Sequence, residues 1–264
     1  MISIVIRNKN EAKALEDTLV ILTKLYKDDF EEIIVVDNQS TDNSVEVAQK
    51  YHCKIVNISN FSYGKATNLG IEAAKSQYVL LLSSHAIPVG NSFFKNTIKE
   101  LKKSNTIAGI RYINSFENYK RAFQNNFEVI QPLKNGLMTA CALINKEIWI
   151  NHKFNEDLVA SEDKEWSQRI VVNGFKILDF NESYFYFINR NNNTSLKRYK
   201  IETIAYYQLN NKKSSTKFRV ILSFIKKIFF INTINYFKGI KNDFKILLIK
   251  FEINNIINKD GKNK

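Results

Sequence analysis

Four short apolar runs alternate with helical stretches in the first third of the chain, and this alternation constrains the fold more than any other feature. Each run has the length of one buried β-strand. Between the runs, apolar residues recur at helical spacing, as Leu15, Leu19 and Leu22 do. This order predicts a mostly parallel sheet with helices on both faces, the Rossmann-like α/β class. The runs are residues 3–6, 32–36, 54–58 and 78–82.

Composition and charge divide the chain into two parts. Of its 264 residues, 44% are hydrophobic and 25% are charged, which excludes intrinsic disorder for most of the chain. Its two cysteines, Cys53 and Cys141, exclude a disulfide scaffold and a four-cysteine zinc site. The whole net charge of +13 comes from residues 190–264, which hold 17 Lys and Arg against 4 Asp and Glu. We therefore expect a domain over residues 1–190 and a basic helical region over 191–264.

Polar residues follow three of the predicted strands, at the point where each strand ends. In open parallel sheets, ligands bind beyond the carboxyl ends of the strands. We therefore expect a binding site at this edge of the sheet, although any nucleotide-binding fold of this class would share the pattern. The three groups are Arg7-Asn8, Asp37-Asn38 and Ser83-Ser84-His85.

Four sequence blocks, taken in order, resemble the motifs of glycosyltransferase family 2, whose members are inverting enzymes with the GT-A fold. The first block holds the Asn-Glu pair at 10–11, the second Asp37 with Ser-Thr-Asp after it, and the fourth the Glu-Asp pair at 162–163. The resemblance covers residues 1–188 and implies transfer of a sugar from a nucleotide-sugar, most often a UDP-sugar. The blocks are residues 3–11, 35–42, 61–70 and 161–174.

The donor side of the site combines the resemblance with the chemistry of the residues. The resemblance places Arg7, Asn8 and Glu11 around the nucleoside, and Asp37, an acceptor at a strand end, suits an N–H of the base. Lys65 and Asn68 lie at the start of a predicted helix, a natural place for phosphate oxygens. From the residues alone, residues 37–40 could equally form a polar turn before the next helix, and Lys65 could be solvated.

The chain departs from the family pattern at the metal site. Ser83, Ser84 and His85 stand where the family has Asp-x-Asp, and Tyr63 and Thr67 replace its usual His and Arg. Imidazole is a ligand for Mn²⁺ and similar ions, so His85 is a candidate to hold Mn²⁺ or Mg²⁺ together with the donor diphosphate. The alternative is that His85, Lys65 or Arg7 neutralises the diphosphate without metal.

The Glu162-Asp163 pair is the candidate for acid–base chemistry. Ser161 is a suitable N-cap, which would put both carboxylates in the first turn of a helix, where the dipole favours the ionised form. We expect Asp163 to be the general base beside Glu162, with Trp166 offering a platform to a sugar ring. The resemblance places Met138 and Thr139 on the acceptor side. Acidic residues are, however, common in any first turn.

Apolar residues alternate with lysines in the basic region from residue 218 onward. In a uniform helix, Lys227, Lys238, Lys241 and Lys245 form one stripe. We rank contact with an anionic membrane first, packing on the catalytic domain second and nucleic-acid binding third, since no nucleic-acid motif is present. The longest uncharged stretch, residues 228–237, is too short to span a bilayer. The start of the chain lacks a signal-peptide core, so we expect a cytoplasmic protein, peripheral on the inner membrane face.

These observations favour a bacterial inverting glycosyltransferase that acts on a glycan or lipid-linked saccharide in capsule, lipopolysaccharide or O-antigen assembly. Two alternatives remain at this point. One is a scaffold of the same fold without catalytic activity, and the other is a nucleotidyltransferase, which would not need Asp163 as a base.

Overall fold

The computed structural model describes residues 1–188 and 192–260. The chain divides after Asn211 into two compact units. The first unit therefore includes the helix Asn192–Leu209, which the sequence analysis assigned to the C-terminal region.

A seven-stranded sheet forms the centre of the first unit, and it confirms the predicted α/β class. Its strand order is β3-β2-β1-β4-β7-β6-β8, and β7 runs antiparallel to its neighbours β4 and β6 while the other pairs are parallel. A second, antiparallel sheet pairs β5 with β9. The strands are β1 Ile2–Asn8, β2 Glu32–Asp37, β3 Lys54–Asn57, β4 Tyr78–Ser83, β5 Ala86–Val89, β6 Ile107–Tyr112, β7 Cys141–Asn145, β8 Lys176–Phe180 and β9 Ser183–Tyr186.

Helices cover both faces of the large sheet. Along β1, Ile4 and Ile6 belong to the core cluster that includes Leu19 of α1, whereas Val5 belongs to the cluster on the α3 side, because side chains alternate along a strand. The helices of the first unit are α1 Ala12–Leu25, α2 Ser44–Lys50, α3 Tyr63–Ala73, α4 Phe93–Leu101, α5 Phe116–Gln124, α6 Pro132–Asn135, α7 Lys146–Trp149, α8 Glu162–Val172 and α9 Asn192–Leu209.

Gly70 explains how closely α3 approaches the sheet. A Cβ at this position would collide with the Val5 side chain and come within 3.1 Å of Cγ2 of Val36. The absence of a side chain thus lets α3 lie directly on β1 and β2, which brings its first turn towards the carboxyl ends of these strands.

The second unit consists of α10 Lys217–Lys226, a π segment Lys227–Asn232 and α11 Thr233–Asp260. Within the described residues, the helix Lys217–Asn254 is long and apolar enough to cross a membrane, judged by length and composition. The expectation that no segment meets this test was therefore wrong. It counted only uninterrupted apolar residues, whereas residues 220–237 form one continuous helix with just two charges, Lys226 and Lys227.

Candidate active site

The register of the sheet brings the predicted strand-end residues to one edge. Asn8 lies opposite Asp37 on β2, and Arg7 lies opposite Ser83 on β4. The Asp37 carboxylate is almost fully buried and accepts hydrogen bonds from Nδ2 of Asn8 (3.3 Å), from the Ser40 amide (2.9 Å) and from the Ser40 hydroxyl (2.6 Å). The polar turn expected as the alternative is thus formed, and it fixes the Asp37 carboxylate at the edge.

His85 and Glu11 come together at the same edge. Nε2 of His85 lies 3.3 Å from Oε1 of Glu11, and the His85 ring packs edge-on against Phe187. Imidazole nitrogen and carboxylate oxygen are both ligands for divalent cations such as Mn²⁺. Among the described residues, no cluster of three or more His, Cys, Asp or Glu side chains could hold a metal ion. These two side chains fit a cation only if a ligand supplies the remaining donors.

Arg7 joins three segments that are distant in sequence. Its guanidinium contacts Oε1 of Glu162 (3.1 Å) and the hydroxyls of Thr67 (3.1 Å) and Thr139 (2.8 Å), and it lies 5.4 Å from the centre of the Tyr63 ring. Tyr63 and Thr67 are the two positions that depart from the family's His and Arg. In this chain both contact Arg7, which pairs with a buried carboxylate at the start of α8.

Asp163 lies beside this network. Its Oδ2 accepts a hydrogen bond from the Thr139 amide (3.3 Å), and its Oδ1 accepts one from the Lys164 amide (2.8 Å). Burial and then the neighbouring Glu162 charge raise the pKa of Asp163 to about 6, against the opposing effects of the Thr139 amide, Arg7 and Lys164. At neutral pH the carboxylate is still mostly ionised and is a stronger base than an ordinary aspartate.

Ser161 does not cap α8 in the expected way. The helix begins at Glu162, so both acidic residues lie in its first turn as predicted, but the Ser161 side chain makes no capping hydrogen bond. Ser161 instead adopts a left-handed conformation with φ of 62°. A non-glycine residue in this region carries backbone strain, and here it lies two residues from Asp163.

Two predicted site residues have structural roles instead. Trp166 is fully buried, stacks on Phe154 and donates its Nε1–H to the His152 carbonyl, so the prediction of a sugar platform was wrong. Asn68 is also buried, and its amide accepts from Trp149 and donates to the Phe154 carbonyl, so it is not available to phosphate oxygens. Both lie on the inward face of their helices, which spacing from a motif does not reveal.

Three more of the predicted site residues, Lys65, Ser84 and Met138, contact other parts of the first unit. Nζ of Lys65 donates to the Ser59 carbonyl, which leaves its proposed role untested. Ser84 is buried, and its carbonyl accepts from Thr18, so its backbone supports the turn that carries His85. Met138 contacts Arg111 through its sulfur.

A buried cluster of Arg111, Arg121 and Asp179 was missed by sequence reasoning. Nη2 of Arg121 lies 2.6 Å from Asp179, and Arg111 bonds the Asn135 carbonyl and the Met138 sulfur, which connects the cluster to the Thr139 segment. The signal that could have revealed it is Arg111 itself, a charged residue inside the apolar run of β6. A surface cavity of about 500 Å³ beside α5 and α6 is lined in part by Arg121.

The sequence is similar to a known protein family and to one curated protein. The family model described as "Glycosyl transferase family 2" matches residues 3–170. An uncharacterized glycosyltransferase of Methanocaldococcus jannaschii, MJ1057, is 21% identical over 254 residues, which cover 89% of this chain and 87% of the relative.

Three solved structures are similar in fold. The mannosyltransferase PcManGT of Pyrobaculum calidifontis, in complex with GDP-Man and Mn²⁺, gives a TM-score of 0.62 at 16% identity; the match covers 81% of this chain and only 65% of that one. Glucosyl-3-phosphoglycerate synthase of Mycobacterium tuberculosis, with Mn²⁺, UDP-glucose and phosphoglyceric acid, gives 0.60 at 15% identity and 81% coverage of both chains. TarS of S. aureus, with UDP-GlcNAc, gives 0.59 at 18% identity, covering 81% of this chain and 68% of that one.

Proposed function

Because the chain belongs to glycosyl transferase family 2, we propose that it moves a sugar from a UDP-sugar to a hydroxyl group of a glycan or lipid-linked saccharide, with inversion. The supporting observation is that two consecutive residues of β1 connect both halves of the site. Asn8 bonds Asp37 on the side proposed for the donor, and Arg7 bonds Glu162 and Thr139, next to Asp163. A donor and an acceptor could therefore meet above the end of β1.

The roles of the residues follow from their chemistry. Asp37 can accept an N–H of the base if its carboxylate gives up one of its two hydrogen bonds from Ser40. Asp163 takes the proton of the acceptor hydroxyl as the hydroxyl oxygen attacks the anomeric carbon from the face opposite the leaving diphosphate, which inverts that carbon. Thr139 holds Asp163 in place through its amide, and Arg7 pairs with the Glu162 carboxylate beside it.

Glu11 and His85 would hold a divalent cation together with the donor diphosphate. A cation at this position supplies positive charge to the departing diphosphate. Mn²⁺ or Mg²⁺ accompanies the ligands in several of the similar structures, which supports this assignment.

We also propose a cellular location and a class of pathway for the enzyme. We place the enzyme in the cytoplasm, peripheral on the inner face of the membrane, in assembly of capsule, lipopolysaccharide or O-antigen. The resemblance and the basic C-terminal region support this placement, because lipid-linked saccharides are found at that surface.

The experiment compares catalysis and donor binding in Asp163→Asn. We expect the release of UDP from UDP-glucose or UDP-N-acetylglucosamine, with water as acceptor, to fall by at least a hundredfold, because the amide cannot accept the proton. Binding of UDP, measured by calorimetry, should be unchanged. Unchanged turnover would remove Asp163 from its role, and loss of UDP binding would indicate a structural defect.

A further inference from the structure

The helix Lys217–Asn254 exposes an unusual amount of apolar surface. Every one of its side chains is exposed, including those of seven phenylalanines that are each more than half exposed. Large exposed apolar patches mark interaction surfaces in soluble proteins. The seven are Phe218, Phe224, Phe229, Phe230, Phe237, Phe244 and Phe251.

In a uniform α-helix the apolar stripes of α10 and α11 would not share a face. At about 100° per residue, the centre of the α10 stripe, formed by Ile221, Phe224 and Ile225, and that of the α11 stripe, around Ile240 and Phe244, point about 130° apart. A helix of this kind could bury only one of its halves against a flat surface.

The π segment Lys227–Asn232 removes this mismatch. A π turn, with its i→i+5 hydrogen bonds, accommodates one extra residue and so rotates everything after it back by about 100°. The two apolar stripes then lie within about 30° of each other. The six-residue π segment thereby brings the apolar stripe of α10 into line with the stripe around Ile240 and Phe244 on α11, while residues 246–249, all apolar, lie on all sides of the helix.

The same rotation gathers positive charge on the other side. Arg219 and Lys226 of α10 come into line with Lys238, Lys241 and Lys245 of α11, about 130° from the centre of the apolar face. The stripe predicted for a uniform helix was wrong in one member, because Lys227 lies outside the aligned group.

Charge and length decide which partner fits this helix. Residues 217–254 carry eight Lys and Arg against two acidic residues, which favours an anionic surface and disfavours a second copy of the same helix. A spanning orientation would put Lys226 and Lys227 at the middle of the least charged stretch, in hydrocarbon. At 38 residues and 1.5 Å per residue the helix is also about 57 Å long, well beyond a hydrocarbon core of about 30 Å.

We infer that the helix 217–254 lies in the plane of an anionic lipid bilayer surface, with its apolar face among the acyl chains, and that the π segment creates this face. The inference deepens the membrane placement proposed above. Its test needs neither donor nor acceptor, so it can fail while the transferase assignment stands.

The test is co-sedimentation of the full-length protein with vesicles of phosphatidylglycerol and phosphatidylcholine. We expect binding to the mixed vesicles and at least tenfold weaker binding to phosphatidylcholine alone. Inserting one Ala after Asn232 turns α11 by about 100° relative to α10 without removing any side chain, and should weaken binding at least tenfold. Inserting one Ala after Ser214, in the connection before α10, keeps the register and should leave binding unchanged. Deleting Asn232 removes the extra residue that the π turn accommodates, so a regular helix keeps the two stripes aligned and binding should also be unchanged. Circular dichroism checks that the helix content of the variants is equal.

Neutralising the aligned lysines provides a second arm. Changing Lys226, Lys238, Lys241 and Lys245 to Gln should cost roughly fivefold in affinity per lysine. Changing four lysines in or just after α4 to Gln removes the same amount of charge and should have little effect on vesicle binding. These are Lys95, Lys99, Lys102 and Lys103.

Three results would overturn the inference. Equal binding by the two alanine insertions, or a tenfold loss in the Asn232 deletion, would mean that the aligned face is not what binds. Resistance of the membrane-bound protein to alkaline carbonate extraction would indicate a spanning helix. Failure to bind anionic vesicles, with concentration-dependent dimerisation, would mean that a second copy covers the face.

Discussion

Replacing Glu162 with Gln tests how the acidic pair at the start of α8 sets the basicity of Asp163. Burial is the larger cause of the raised pKa of Asp163, and the charge of Glu162 is the second. Removing that charge should therefore lower the pKa of Asp163 from about 6 towards its ordinary value of 3.8.

The assay is the pH profile of UDP release from a UDP-sugar, with each variant normalised to its own plateau. A general base works when ionised, so kcat/KM should rise with pH through the pKa of Asp163 and then level off. At pH 5, about a tenth of Asp163 is ionised when its pKa is 6, and up to about half when its pKa is 5. A fall of one unit in the pKa of Asp163 would therefore raise the normalised activity of Glu162→Gln at pH 5 about fivefold.

Glu165→Gln is the matched control. It removes the same charge from the same helix, but Glu165 pairs with Arg169 rather than with the site. Its profile should match that of the parent protein. An acid limb that stays in place or moves to higher pH in Glu162→Gln would refute the reasoning.

Three further changes test the structural assignments. Asn68→Ala should destabilise the first unit by about 2–4 kcal/mol in denaturant unfolding, because the indole N–H of Trp149 loses its buried acceptor. UDP affinity should not change, and a loss of affinity in the folded variant would mean that Asn68 belongs to the binding site. Trp166→Phe should lower the melting temperature, since one buried hydrogen bond worth about 1 kcal/mol is lost, while the kinetics of UDP release stay the same; altered kinetics at full stability would contradict a core role. Gly70→Ala should cost about 1–3 kcal/mol in unfolding free energy through its collision with Val5, and an unchanged midpoint would show that α3 can move away from the sheet.

The fold class was predictable because strand burial leaves a direct trace in the sequence. The four apolar runs became β1 to β4, and the family, the GT-A fold and the enzyme class inferred from the four blocks are confirmed. The antiparallel β7 between β4 and β6 was not predicted, because periodicity gives the existence of a strand and not its direction or neighbours.

The site was predictable only in outline. Arg7 and Glu162 are 155 residues apart, so no spacing pattern indicates that they pair. Trp166 and Asn68 lie near motif residues along the chain, yet their side chains point into the core, because the orientation of a helix about its axis is set by packing. The π segment was not predicted either, because helical periodicity assumes a uniform α-helix, and it changed which lysines share a face.

The most direct test of the central claim is calorimetric titration of the full-length protein with UDP in the presence of Mn²⁺, with GDP as the comparison. The account predicts saturable binding of UDP at one site per chain, tighter than binding of GDP, and at least tenfold weaker binding for His85→Ala. Binding of neither nucleotide would contradict a nucleotide-sugar site at the ends of β1, β2 and β4. It would instead favour a protein that keeps the fold without the donor chemistry.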